Sequence, residues 1–570
     1  LWVTEYLSIF VGILIIGAYF LNQFSANVKN QIIPRSNPSS AFPDVLNMRA
    51  DREGFERLKK EMVPDWIDGD RVDYRLYNGD QTVNIWWNAL YKMPLARGYF
   101  DPPTLQAQGY RFWMDASMSM DKTTGQDQLV GVFKYPKNVA TNNTYFLIDW
   151  YSIKYFEGGR GGPTTYAPLP VSLDTKDLIK NEKSLIFDKE KYNTGGQGLR
   201  YYEFRDEYIS PIMHATNAPT VGVFATDEGY ETIVRFLADA NLGSKAVIPI
   251  KLGSNIDGVN SADLRTFDAI VLYNYKYQNK KRVFTQLSDY VKKGGRLFVD
   301  TGAEVVESSA SSLPELFPIE NTVRTPLGSE WDLANTSGPL GDGVDFYKFD
   351  PLLFDDAEWK MSYPPNSADL RSGSTVLLAH RNRPIVVSQK LGEGKVIWSG
   401  INLPYHVSRF HNEQEILYFA NIIKNLLSGH GSDASYPDST VQFFSAQKRA
   451  ITTANGKGIL FNEEHYPGWR ASVRSGNVSR SLSIWSAGPA YPGFMYVSLP
   501  REFVDFQSTV TFTYWGSAAT WFFAMISFIA IIYIIEGVAF RGIILGNSTR
   551  WLAHTIYKRM KRWWVKDTEE

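Results

Sequence analysis

Cysteine is missing from all 570 residues. Disulfides, thiolate metal sites and cysteine nucleophiles are thereby excluded, and stability rests on packing and hydrogen bonding. Net charge is nearly absent as well: 59 Lys and Arg face 60 Asp and Glu, a formal balance of -1. Without a basic excess there is little to hold a phosphate backbone, so nucleic acid is not an expected partner. No serine stands in a G-x-S-x-G elbow, which removes a common alternative nucleophile. Aromatics, by contrast, are abundant at 14%. They suit large β-rich cores and carbohydrate-facing surfaces alike.

Apolar residues also gather into two long runs, Leu1 to Leu21 and Trp515 to Ile535. Each is about the 20 residues a helix needs to cross a hydrocarbon core. Transmembrane helices are therefore expected at 1–21 and 515–536. The tail at 541–570 carries Arg541, Arg550, Lys558, Arg559, Lys561, Arg562 and Lys566 against Asp567, Glu569 and Glu570. Short basic flanks stay cytoplasmic. The expectation is an integral protein of the cell membrane, with the lipid bilayer as a partner, its C-terminus cytoplasmic and its large middle region extracytoplasmic. The first run has no Met start, basic n-region or cleavage site of a signal peptide. It reads as part of a longer polytopic protein.

The segment 22–210 reads as a mixed, irregular and β-rich domain. A short helix is expected at Glu53 to Glu61, and strands at Tyr74 to Tyr77, Gln128 to Phe133 and Tyr145 to Trp150. Asp65, Asp68, Asp70 and Asp73 lack the alternation and the closing bidentate Glu of a calcium loop. Trp86 and Trp87 with Tyr91 and Tyr99 read as either a sugar-stacking platform or core aromatics.

From 218 to 430 strands alternate with helices. Strands are expected at Thr220 to Ala225, Ala246 to Leu252, Asp268 to Asn274 and Arg296 to Asp300. Amphipathic helices are expected at Asp227 to Leu242 and Lys281 to Lys293. This order implies a doubly wound, flavodoxin-like parallel sheet. Such sheets bind ligands beyond the C-terminal ends of their strands, which makes Asp227, Glu228, Tyr273, Asn274 and Asp300 the candidate ligand-binding residues. His406, His411, Glu413 and Glu415 contain a histidine pair five residues apart, off the i, i+4 spacing of a helical metal site. No metal and no other cofactor is expected.

The run Phe267-Asp268-Ala269-Ile270-Val271-Leu272, with Tyr290-Val291-Lys292-Lys293-Gly294-Gly295-Arg296-Leu297 and the later Leu391-Gly392-Glu393-Gly394-Lys395-Val396-Ile397, resembles the class I glutamine amidotransferase-like fold in its ThuA-like variant. That family's activity needs a cysteine, so the resemblance implies a degenerate copy for binding or scaffolding, with no catalytic residue in this chain. Within 438–513, the turn Tyr466-Pro467-Gly468-Trp469 resembles the C-terminal β-domain of YfhO-type, GT-C-like polytopic membrane proteins and serves as a structural motif. There the resemblance implies a small jelly-roll-like β-sandwich. It also implies a parent glycosyltransferase using lipid-phosphate-linked sugars, with its catalytic site in helices upstream.

The expected fold class is thus a membrane-anchored α+β multidomain protein, with terminal transmembrane helices flanking the β-rich, α/β and sandwich domains. The expected function is a glycan- or acceptor-binding or scaffolding module, with a glycan, a lipid-linked sugar or a partner protein as ligand. The alternative is a non-enzymatic envelope protein that binds a partner or a cell-surface polymer.

Overall fold

A computed structural model describes residues 64–68, 71–78, 93–94, 137–161, 179–186, 198–258, 261–334, 338, 340–354, 357–428, 436–489, 493–504, 506–516 and 518–539. The expectations for the first apolar run, Glu53 to Glu61, Trp86 and Trp87, Gln128 to Phe133 and the basic tail lie outside these residues.

The first described unit joins β1 (Arg75–Asn78), α1 (Lys137–Trp150), β2 (Ile153–Gly161), β3 (Ile179–Ile186) and β4 (Gly198–Phe204). Its four strands run in the order β1-β2-β4-β3. The expected strand at Tyr145 to Trp150 is instead the end of α1. Phe146, Leu147, Ile148 and Trp150 are all buried, and an unbroken apolar run cannot be told from a buried helix by its periodicity.

Next come β5 (Met213–Thr216), β6 (Thr220–Phe224), α2 (Asp227–Asp239), β7 (Ile248–Gly253), β8 (Ala269–Leu272), α3 (Lys280–Lys292) and β9 (Arg296–Asp300). Strands β7, β6, β8 and β9 are parallel neighbours. Both helices are capped in sequence: Thr226 accepts from Gly229 N, and Asn279 from Arg282 N, as first-turn donors require. At Gly222 an added Cβ would lie 2.8 Å from the Leu252 side chain, so any larger residue at the centre of β6 would displace its neighbours.

An insertion follows with β10 (Val323–Pro326), β11 (Leu333–Ala334), β12 (Leu353–Phe354), β13 (Ala357–Glu358) and β14 (Lys360–Tyr363). The main sheet then resumes through β15 (Ser374–His380), β16 (Arg383–Leu391) and β17 (Gly394–Ser399), the last lying parallel to β9. Helices α4 (Leu403–Phe410) and α5 (Glu413–Leu427) lead onward. The last strands are β18 (Ser439–Ser445), β19 (Lys448–Thr453), β20 (Gly458–Glu464), β21 (Trp469–Ser475), β22 (Val478–Leu482), β23 (Trp485–Ala487), β24 (Phe494–Ser498) and β25 (Ser508–Tyr514), ahead of α6 (Ala518–Ala539).

The expected fold class is corrected on two counts. Among the described residues no helix is long and apolar enough to cross a membrane. The side chains described in α6, from Trp521 to Ile531, are exposed. The second correction concerns the sandwich. Strands β23, β24, β20 and β5 continue the α/β sheet, which holds twelve strands in the order β11-β15-β16-β17-β9-β8-β6-β7-β23-β24-β20-β5. Only β18-β19-β25-β21-β22 form a separate five-stranded sheet.

The join at β7 and β23 is narrow but well braced. Ala487 pairs with Ile250, Gly488 N donates to Pro249 O at 3.1 Å, and Tyr230 Oη donates to the carbonyls of both Pro249 and Gly488. Trp150 of α1 stacks on Phe494 of β24 at 6.1 Å and 7°. One apolar core therefore runs from α1 through the α/β layers to β24, and a second fills the space between β20, β24 and the five-stranded sheet.

Candidate functional site

The C-terminal ends of β6, β8, β9 and β17 bring the candidate residues toward one edge of the sheet. Asp227 and Glu228 open α2 and are exposed. Asp227 Oδ1 lies 2.7 Å from Lys251 Nζ on the neighbouring strand β7. Beyond β8, Asn274 takes a left-handed backbone with φ 50°, and its Cβ would sit 3.3 Å from a Cβ added at Gly229. Asn274 lies in the longer connection between β8, which ends at Leu272, and α3, which starts at Lys280, and not in the tight strand-to-helix turn of a nucleophile elbow. Its side chain is an amide, which is no nucleophile.

Tyr273 is 1% exposed, and its Oη donates to Asn402 Oδ1 at 2.9 Å. Burial first, then the nearby Asp300 carboxylate, raises its phenol far above the usual value. Asp300 is fully buried and accepts four hydrogen bonds. Oδ1 takes Gly302 N at 2.8 Å and Asn402 N at 3.1 Å, while Oδ2 takes Ser399 Oγ at 2.7 Å and Leu403 N at 3.0 Å. Burial pushes this carboxyl up to about 6, against the pull of those donors. All its lone pairs face the chain's own groups, so Asp300 organises the loop after β17. Gly302 is obligatory in this packing, because an added Cβ would fall 1.8 Å from Asn402 N.

The insertion closes the same edge with a group the sequence did not flag. Glu307 is fully buried and accepts from Tyr275 Oη at 2.9 Å and Tyr277 Oη at 2.6 Å, with Lys280 Nζ 3.9 Å away. Burial and this carboxylate raise both phenols. Its surroundings in the sequence, Ala303 to Ser312, have no motif or periodicity that would have marked it.

The two histidines separate onto different carboxylates. His406 Nδ1 lies 2.6 Å from Glu415 Oε2, both groups 1% exposed, and His411 Nδ1 lies 2.8 Å from Asp239 Oδ2. Glu415 Oε1 also accepts from Asp350 N, which ties α5 to the insertion. His406 is faced edge-on by Trp359 at 4.6 Å. Glu413 opens α5 and is exposed. Among the described residues no group of three His, Cys, Asp or Glu is placed to hold a metal ion.

The Tyr466 to Trp469 turn is a mechanical joint. Gly468 has φ 115°, and a Cβ there would meet Gly516 O at 2.4 Å. Trp515 N donates to Gly468 O at 2.9 Å. Trp469 meets Phe461 at 5.6 Å and Tyr514 at 5.4 Å. Pro467 is exposed and Tyr466 half-buried, so the turn fixes β21 against the segment leading to α6.

No protein-family model matches the chain, and no curated protein matches it either. Solved structures similar to it include a cytoplasmic protein from Salmonella typhimurium, at 15% identity over 36% of this chain and 98% of that one, with a TM-score of 0.28. A putative ThuA-like protein from Bacteroides uniformis shares 12% identity over 38% of this chain and 93% of its own, at 0.26. A β-galactosidase from Bacillus circulans sp. alkalophilus shares 12% over 50% of this chain and 42% of its own, at 0.24. Likenesses of this size carry no argument about activity.

Proposed function

We propose that the chain is a non-catalytic scaffold of a carbohydrate-handling assembly, in which the α/β unit fixes the β-rich parts relative to one another. One observation carries the reading. The buried polar groups at the strand ends, Tyr273, Asp300 and Glu307, are engaged by Asn402, Ser399, Leu403, Gly302, Tyr275 and Tyr277 of the same chain. A site built for ligand leaves such groups free to meet it. These instead lock the loop after β17 and the insertion onto the sheet. The sequence resemblance to the ThuA-like variant, without its cysteine, accords with this, and the resemblance of the Tyr466 to Trp469 turn to GT-C-like proteins supports the carbohydrate setting.

The test combines binding with complementation. Saturation-transfer NMR with mono- and oligosaccharides and a lipid-phosphate-sugar analogue is expected to show no saturable contact at Tyr273 or Asn274. Variants Y273F and N274A are expected to restore surface-polysaccharide formation in a host lacking the native chain. A saturable sugar signal abolished by either variant, with loss of complementation, would overturn the scaffold reading in favour of a glycan-binding crevice.

A further inference from the structure

A second surface, remote from the strand-end edge, has an unusual composition. The five strands of the smaller sheet contain Lys448, Arg449, Arg470, Arg474 and Arg480 and no Asp or Glu. Alternation along a strand sends successive side chains to opposite faces. Ile451, Ala471, Val473, Val510 and Phe512 point into the second core, so the residues between them point outward.

The register assembles those outward residues into rows. Thr440, Thr452, Thr509, Arg474 and Ser479 stand side by side, followed by Gln442, Ala450, Thr511, Ser472 and Ser481. Lys448, Thr513 and Arg470 form a third row. With strands about 4.8 Å apart and alternate residues about 6.8 Å apart, the rows form a hydroxyl-rich field about 19 Å across.

Charge on the two faces is handled differently. The core-side cations have carboxylate partners: Arg449 lies 3.9 Å from Glu463, and Arg480 donates to Glu502 at 2.7 Å. The outward three have none among the described residues. Lys448 lies over Phe444 at 4.9 Å, Arg470 over Trp515 at 5.2 Å, and Arg474 Nε donates to Gly476 O at 3.1 Å. Lys448, Arg470 and Arg474 are all exposed. Three positive charges spaced among neutral hydroxyls, with no acid on the face, complement a polymer that alternates hydroxyls with negative charge.

We propose that this face binds an anionic polysaccharide, one carrying carboxylate, sulfate or phosphate groups. The cations would meet the acidic groups, and the Thr and Ser rows would exchange hydrogen bonds with sugar hydroxyls. Single-stranded nucleic acid fits less well, because the Thr and Ser rows contain no aromatic ring on which successive bases would stack. A lipid surface would engage the exposed rings of Phe444 and Trp515 at one end of the face, whereas the Thr and Ser rows carry hydroxyls along its length.

The experiment uses the full 570-residue chain with heparin and polygalacturonate as probes. Neutral dextran, anionic phospholipid vesicles and a thymidine homopolymer serve as comparators. Saturable binding to the two polyanionic glycans is expected, weakening as salt rises. The triple variant K448Q/R470Q/R474Q is expected to lose about tenfold or more in affinity, and T509V/T511V several-fold, with unchanged thermal midpoints. K424Q on α5 is expected to bind as the parent does. Equal binding by the triple variant, equal retention on dextran, or binding confined to vesicles or the homopolymer would each overturn the proposal. None of these outcomes bears on the strand-end edge, so this inference and the scaffold reading fail separately.

Discussion

Arg75 donates through Nη2 to the main-chain oxygen of Asn462 at 2.5 Å, across 387 residues of sequence. Its Nη1 reaches Tyr151 O at 3.0 Å, and Nη2 also lies 3.2 Å from Glu463 Oε2. One buried guanidinium thus pins β1, the turn after α1 and β20 together. Arg75→Ala removes the shared donor from two buried carbonyls and is expected to cost about 3 kcal/mol. Arg75→Lys keeps the charge but cannot span both carbonyls, and should cost about half as much. Urea unfolding followed by tryptophan fluorescence measures both. Equal midpoints for Lys and Arg would mean that charge alone matters there.

Asp300 gathers four donors from two loops. Asp300→Ala strands them all and is expected to destabilise by about 3–5 kcal/mol. Asp300→Asn faces two of the donors with an amide N–H and should cost about 2–3 kcal/mol. In the Asn variant, the amide protons of Asn402 and Leu403 should exchange with solvent well before those of β8. Uniform exchange across both regions would place Asp300 outside the loop's stability.

Glu464 supplies a pH signature. Its Oε1 is buried without a hydrogen bond, and burial, then the neighbouring Glu463 charge, pushes its carboxyl up to about 8. In the unfolded chain a glutamate titrates near 4.3, so between these values the folded state binds the extra proton. The stability this lends is full below about pH 4.3 and is lost as pH rises through about 8. Glu464→Gln should flatten that decline and exceed the parent by about 2–4 kcal/mol at pH 9. Parallel pH curves for variant and parent would show that Glu464 ionises as it does in water.

Two glycines separate conformational strain from contact. Gly476 has φ 54° with open space around it, whereas Gly468 has φ 115° and would push a Cβ into Gly516 O. Gly476→Ala should cost about 1 kcal/mol, and Gly468→Ala more than about 2 kcal/mol. The second should also loosen the Trp469 and Tyr514 rings, visible in near-ultraviolet circular dichroism. Equal costs at the two positions would argue against the Gly468 to Gly516 joint.

Local signals carried the reading of the α/β unit because each element announces itself in a short window. The apolar run at Thr220 to Ala225 meets β6, and the amphipathic pattern from Asp227 meets α2 with its Thr226 cap. Windows failed where burial is complete, as at Tyr145 to Trp150, which ends α1. The candidate edge was legible only as an address. Tyr273, Asn274 and Asp300 stand at the strand ends, but that Asp300 is spent on Leu403 and Asn402, and that Glu307 arrives from the insertion, depends on contacts no window contains.

Composition by itself determined that no thiol chemistry operates in this chain, and strand-helix alternation determined a parallel sheet near residues 220 to 300. Tertiary structure alone decided that β20, β23 and β24 extend that sheet instead of closing a separate sandwich. It also decided which cations are neutralised and which stand free on the threonine face. The physical reason is range: hydrophobic periodicity acts over a few residues, whereas the Ala487–Ile250 pairing and the Arg480–Glu502 ion pair arise only once distant strands have taken their register.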